Sequence, residues 1–262
     1  MKYYVVSDVH GYYTLLREAL EKAGFFDDSE PCRLIVCGDM LDRGDEACRL
    51  VDFMVELSEN DKLIYILGNH EDLLVKCLHE IASGGIAAIA DGASLYSRNK
   101  TWDSMLQLAG MSEEEACYAP DELVRRVMRS PFYRQLLISG VDYYETPNYI
   151  FTHGWIPCFM SGFGPLLRYQ YDPDWRQAGV EAWRRARWYN GMSVACKFGM
   201  VEPDKTIVCG HWHTSYGHAC IDHSGTEWGE NADFSPFYSK GIIAIDGTVA
   251  VSGKVNCIVI ED

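Results

Sequence analysis

Apolar and polar positions along this chain follow two periods in turn. Lys2 to Ser7, Arg33 to Cys37 and Lys62 to Leu67 are short, β-rich apolar runs, and each predicts a buried strand. Behind the first run, Leu15, Leu16, Ala19, Leu20 and Ala23 fall on one helical face; behind the second, Leu50, Phe53, Met54 and Leu57 do the same. Glu71 to Ala82 continues the third run with helical spacing. Strand, polar loop and helix recur three times, which predicts parallel strands joined by helical crossovers. In such sheets functional groups gather in the loops at the carboxyl ends of the strands.

Past Glu71 the strands stop. The helix breaks at Gly84-Gly85, and further helical pieces cover Trp102 to Leu108 and Asp121 to Met128. The stretch from about 71 to 139 therefore reads as a helical cap inserted into a single domain spanning 1–262. Strands return at Val141 to Tyr144 and Tyr149 to Thr152; helix and loop, including Glu181 to Trp188, then run to about Pro203. Thr206 to Cys209 is the next strand. The tail from Gly241 to Ile260 predicts two or three strands, with turns at Asp246-Gly247 and Ser252-Gly253, in the meander of a second, mixed sheet.

With 262 residues, 48% of them hydrophobic, the chain can bury a large core. Lys and Arg number 23 against 38 Asp and Glu, a net charge of -15. That excludes a basic groove for nucleic acid, which needs clustered cations; bound metal ions would offset the charge locally. The ten cysteines show no paired spacing, and Cys37, Cys209 and Cys257 lie in apolar runs, as reduced core thiols do. A reducing, cytoplasmic location is expected. Met1-Lys2 leads straight into a strand, with no apolar leader, and no apolar run has the length of a membrane span.

Five predicted strand ends carry Asp8 and His10; Asp39, Asp42 and Arg43; Asn69 and His70; His153; and His211 with His213. Taken singly, each has a plainer explanation: a turn, a helix start, a surface histidine, a local Asp42–Arg43 ion pair. Together, carboxylate, imidazole and amide oxygen suit Mn, Fe or Zn. Two ions roughly 3.5–4 Å apart need a shared ligand, and Asp39, lying between the ligand groups in chain order, is the candidate.

Asp-Val-His-Gly at 8–11, Gly-Asp-Met-Leu-Asp-Arg-Gly at 38–44, Gly-Asn-His-Glu at 68–71, His-Gly at 153–154 and Gly-His-Trp-His at 210–213 resemble, in order, the motif set of the calcineurin-like metallophosphoesterases. The second and third are similar to the phosphoprotein phosphatase branch, bacterial members included. The resemblance implies a four-layer α/β/β/α sandwich with a two-metal centre. By it, Asp8 and His10 bind the first ion, Asp39 bridges, and Asn69, His153 and His211 complete the second site. His213 follows the wider superfamily, in which it would join the first ion; the phosphoprotein phosphatases usually lack it.

Two cations lower the pKa of a shared water and hold it as hydroxide for attack on phosphorus. Arg43 offers a planar, permanently charged fork for phosphate oxygens. His70 is the candidate general acid for the leaving oxygen, and Asp42 the partner that keeps it oriented. The family leads one to expect a second phosphate-binding arginine between His153 and His211. Arg184, Arg185 and Arg187 are available, and Arg187, beside Trp188-Tyr189-Asn190, is preferred. Trp212 could stack on a substrate ring, although a core or rim position is the simpler expectation.

The expected activity is metal-dependent hydrolysis of a phosphorylated substrate: phosphoprotein, nucleotide or small metabolite. A phosphomonoesterase of the serine/threonine protein phosphatase kind comes first, because the dinucleoside polyphosphate hydrolases that also resemble this chain tend to lack the equivalent of Asp42. Diadenosine tetraphosphate hydrolysis is the alternative. A nuclease conflicts with the net charge, and a non-enzymatic scaffold conflicts with the full ligand set.

Overall fold

The computed structural model describes residues 1–84, 94–162 and 167–262. The chain runs β1 (Lys2–Val6), α1 (Tyr13–Ala23), β2 (Cys32–Cys37), α2 (Ala47–Glu59), β3 (Leu63–Ile66) and α3 (Asn69–Gly84). Four helices follow: α4 (Leu95–Arg98), α5 (Thr101–Ala109), α6 (Glu113–Tyr118) and α7 (Pro120–Arg129), then a π-helical turn at Phe132–Leu137. Next come β4 (Tyr143–Glu145), β5 (Tyr149–Thr152), β6 (Cys158–Ser161), β7 (Arg168–Tyr171), α8 (Val180–Ala186), β8 (Thr206–Cys209) and α9 (Thr214–Cys220). The last elements are β9 (Phe237–Ser239), β10 (Ile242–Ala244), α10 (Val249–Ser252) and β11 (Ile258–Glu261).

The first sheet has the order β11-β1-β2-β3 and the second β4-β5-β8-β10-β9. β1, β2 and β3 are parallel, as are β5, β8 and β10; β11, β4 and β9 close the edges antiparallel. Side chains alternate across each strand, and this alternation builds the layers. Tyr4, Val6, Leu34 and Val36 pack against the helical side with Leu16, Leu50 and Met54. Tyr3, Val5, Ile35 and Cys37 turn the other way and meet Phe151, Val208 and Ile245 of the second sheet. Ile150, Ile207 and Ile242 point to an outer layer holding Trp183 and Ala186 of α8. The result is a mixed α/β sandwich of helices, two sheets and helices.

Three features depart from the sequence pattern. The tail is no simple meander. Ser252-Gly253 is the end of the one-turn helix α10, where Gly253 at φ 66° supplies the left-handed residue that stops it. β11 then crosses to the first sheet and pairs with β1, because Ile258 and Ile260 belong to the inter-sheet core and β1 otherwise exposes an unpaired edge. The region after His153 contains an antiparallel β6–β7 pair as well as helix and loop; β6 is apolar at Cys158, Phe159 and Met160 but too short to stand out, and it lies largely exposed. α3 begins at Asn69, two residues before the periodicity at Glu71. The break at Gly84-Gly85 lies partly outside the described residues. Helices α5 and α7 share the core of α2 and α3 through Trp102, Met105, Leu123 and Val127.

Phe151 is fully buried between the sheets. Phe151→Ala is expected to cost about 3–5 kcal/mol of unfolding free energy, read as a lowered urea midpoint. A loss below about 1 kcal/mol would mean that the sheets do not depend on this contact.

Candidate active site

The loops after β1, β2, β5 and β8 are tied to one another by backbone hydrogen bonds. Asp8 N–H donates to the Gly38 carbonyl at 3.2 Å, His10 N–H to that of Asp39 at 3.0 Å, and Gly210 N–H to that of His153 at 2.8 Å. The first turn of α3, after β3, joins them when His70 N–H donates to Asp39 Oδ1 at 2.9 Å. Convergence strains the chain. Among the described residues ten non-glycine positions have positive φ, and six are Asp8, His10, Asp39, Asp42, Arg43 and His211. Such conformations cost energy and persist only where the surroundings impose them. Gly68 and Gly210 mark the closest approaches: a methyl group on either would collide with Asp39 Oδ1 or Asp8 Oδ2.

Asp39 is the centre. His10 Nε2 and His70 Nε2 lie 3.8 and 3.7 Å from its Oδ2, and His153 Nε2 lies 3.4 Å from its Oδ1. His10, Asp39 and His70 present ligand atoms within 4.8 Å of one another, and Asp39, His153 and His211 do likewise. The two groups share one carboxylate. Burial raises the Asp39 pKa, but His153, His70, His10 and His211 pull it the other way, and it ends far below the usual carboxylate range. Burial lowers His10 well below its ordinary value and His211 to about 3, so both rings keep the neutral form that metal ligation requires. Burial, with Asp246 and Asp39 nearby, pushes Asp8 well up. The site is short of positive charge.

Its donor atoms fit cations. His10 Nδ1 pairs with the Leu41 carbonyl at 3.0 Å, which leaves Nε2 with its lone pair inward, 3.9 Å from Asp8 Oδ1 and without a hydrogen-bond partner. His153 Nδ1 likewise donates to the Cys37 carbonyl at 2.8 Å. Its Nε2 then faces Asn69 Oδ1 at 2.8 Å. The Asn69 amide oxygen and His153 Nε2 are both able to ligate a cation. Backbone carbonyls that fix the outer ring nitrogen are a recurring support of metal-binding histidines.

His70 and Asp42 form a dyad. His70 Nδ1 lies 2.7 Å from Asp42 Oδ2, which also accepts from Thr101 Oγ1 at 2.6 Å. The Asp42 N–H donates to Ser104 Oγ at 3.0 Å. Burial lowers the His70 pKa, but Asp39 and Asp42 outweigh it and the net shift is upward. The half-buried Arg43 guanidinium acts electrostatically on His10, His70 and Asp246.

Two expected site residues stand elsewhere. His213 joins neither ligand group; its Nε2 pairs with Glu227 Oε1 at 2.9 Å, and its ring packs against Trp228 with centroids 4.3 Å apart. Arg187 is 4% exposed and bonds Asp72 Oδ1 and Asp142 Oδ1, each at 2.6 Å. Two carboxylates thus share the buried guanidinium.

The sequence pattern passed over Glu71, Asp246, Thr101 and Ser104, all buried. Glu71 Oε2 accepts from Gly68 N–H at 2.7 Å and Asp39 N–H at 3.0 Å, and Oε1 accepts from Met40 N–H at 3.0 Å. It holds the loops after β2 and β3 together. Asp246 follows β10, a parallel strand, so its position at a carboxyl end was the available signal. Thr101 and Ser104 belong to α5 and carry no local signature.

Residues 1–215 match the family described as calcineurin-like phosphoesterase. A symmetrical bis(5'-nucleosyl)-tetraphosphatase of Buchnera aphidicola subsp. Acyrthosiphon pisum (strain 5A) is 35% identical over 75 residues, 29% of this chain and 26% of that protein. The asymmetrical bis(5'-nucleosyl)-tetraphosphatase PrpE of Oceanobacillus iheyensis is 23% identical over 168 residues, 62% of this chain and 59% of that protein. The match thus spans about a quarter of the first relative's length and under two thirds of the second's. A cold-active protein-tyrosine phosphatase of a psychrophilic Shewanella species shares the fold with a TM-score of 0.53 and 16% identity, over 100% of this chain and 75% of that one.

Glu71→Gln sets an NH2 against one or two of three backbone N–H groups, depending on which way the amide turns. The expected result is an unfolding free energy lower by about 1–3 kcal/mol and Mn²⁺ binding weaker by about 10–100-fold, measured by denaturation and by calorimetric titration. Unchanged Mn²⁺ affinity would separate Glu71 from the centre.

Proposed function

The chain belongs to the calcineurin-like phosphoesterase family, and from that premise we propose that it hydrolyses phosphoric esters and anhydrides at a two-cation centre, with dinucleoside polyphosphates as its substrate class. The observation that carries the chemistry is the single carboxylate, Asp39, common to both ligand groups. Asp8 and His10 would hold one cation with Asp39; Asn69, His153 and His211 would hold the other. When bound, the cations supply Lewis acidity, which acidifies water and offsets charge on phosphoryl oxygens.

The remaining steps belong to this chain's own side chains. Arg43 binds phosphoryl oxygens with a guanidinium fork. Asp42 accepts the Nδ1 hydrogen of His70 and keeps a proton on the ring, and Nε2 presents that proton to the departing oxygen. Thr101 and Ser104 hold Asp42 in place. The donor set tolerates Mn, Fe or Zn. All ten cysteines are unpaired, which supports a reducing compartment such as the cytoplasm. No helix among the described residues is long and apolar enough to cross a membrane.

The sequence motifs put phosphomonoesters first; the tetraphosphatase relatives favour the dinucleoside polyphosphates. The His70–Asp42 dyad keeps the monoester as a second reading, because an alkoxide leaving group needs a proton more than a nucleotide phosphate does.

Mn²⁺-loaded protein given diadenosine tetraphosphate is expected to release two ADP, by central cleavage, or ATP and AMP, by asymmetric cleavage. A phosphoserine peptide should turn over at least about tenfold more slowly. Phosphate released from the peptide alone, with the dinucleotide intact, would reverse the order of the two readings.

A further inference from the structure

The chain has seven tryptophans. Trp102, Trp155, Trp175 and Trp183 are buried and Trp212 is half-buried. Only Trp188 and Trp228 are largely exposed, at 50% and 52%. Trp188 touches a histidine of the second ligand group, and Trp228 touches His213, two residues further along the chain. Trp188 stands edge-on to His211 with centroids 5.7 Å apart, and Trp228 packs on His213 at 4.3 Å. Trp212 fills the gap between them, 6.1 Å from His211 and stacked on His213 at 5.6 Å. An unbroken aromatic row therefore leads out from the second ligand group and ends in water on both sides.

Leaving two indoles half in solvent forfeits burial that this core supplies to four others. Both are fixed. Arg187, immediately before Trp188, is anchored by Asp72 and Asp142. Glu227, immediately before Trp228, pairs with His213, and its carbonyl accepts from Ser215 Oγ at 2.8 Å. Arg187 and His213, through these partners, set the two indoles in place.

We propose that Trp188 and Trp228 are two separate nucleobase-stacking surfaces, one at each end of this row, with Arg187 and Glu227 as their positioning residues. The inference rests on the dinucleoside polyphosphate reading above. A flat, uncharged base suits an aromatic surface on a protein of net charge -15, where stacking supplies affinity without cations. Either surface would take one base of a dinucleotide whose phosphates lie over Asp39 and Arg43.

The test compares wild type with Trp188→Ala and Trp228→Ala on diadenosine tetraphosphate and on tripolyphosphate, which has no base. In each variant KM for the dinucleotide is expected to rise about 10-fold more than KM for tripolyphosphate, with kcat less affected. Tyrosine in place of either tryptophan should restore most of the loss. Binding is read separately, from the ring-current shifts of the adenine protons of AMP added to metal-free protein. These shifts should shrink in both alanine variants. If the dinucleotide is cleaved but KM and adenine shifts are indifferent to both substitutions, the stacking surfaces are overturned while the reading beneath them stands. If the variants impair a phosphoserine peptide and spare the dinucleotide, the surface holds peptide and the proposal fails. If wild type leaves the dinucleotide intact, the substrate reading fails, and the adenine shifts alone decide the stacking surfaces: present and tryptophan-dependent sustains them, absent ends them.

Discussion

A carboxylate buried among four imidazoles is the constraint around which this molecule is arranged. Asp39 is 2% exposed, and its charge is maintained against burial by His153, His70, His10 and His211. Those rings come from the loops after β1, β5 and β8 and from the first turn of α3, so the sheets must be in register before the site exists. Parallel order in β1–β2–β3 and β5–β8–β10 delivers the loops to one edge. The left-handed backbone at Asp8, His10, Asp39 and His211 is the cost of bringing them together. Glu71 repays part of it by accepting three N–H groups from the loops it spans.

The helices between α3 and β4 reach the candidate site as well as the core. α5 sends Thr101 and Ser104 to Asp42, and Asp42 in turn holds His70. The Arg43 N–H donates to the Asn99 carbonyl just ahead of α5, at 3.0 Å. The proposed proton donor His70 and the proposed phosphate ligand Arg43 are therefore positioned by a segment far away in sequence. Arg187 and Glu227 are charged residues whose partners are other side chains of the fold, and their neighbours Trp188 and Trp228 face the water.

Much of this was legible in the chain. The period-2 and period-3.6 runs located β1 to β3 and α1 to α3 within a few residues, because those elements bury one full face. The motif residues Asp8, His10, Asp39, Asn69, His70, His153 and His211 do converge. What escaped was non-local. β11 reads as part of a tail meander until β1 is seen to lack a partner. β6 is short and largely exposed, and does not stand out. His213 and Arg187 have the right chemistry at the right spacing, yet Glu227 in one case and Asp72 with Asp142 in the other lie closer. Such competition between partners is decided by packing, and no local window of sequence contains it.

The account stands on Asp39 serving two cations at once. Counting Mn²⁺ bound per chain by equilibrium dialysis, in wild type, Asp39→Asn, His10→Ala and His153→Ala, addresses it directly. The prediction is two ions in wild type, one tightly held ion in each histidine variant, and loss of tight binding at both sites in Asp39→Asn, with circular dichroism confirming the fold. An Asp39→Asn protein that keeps one site at wild-type affinity would show that the carboxylate serves a single ion and would contradict the shared centre.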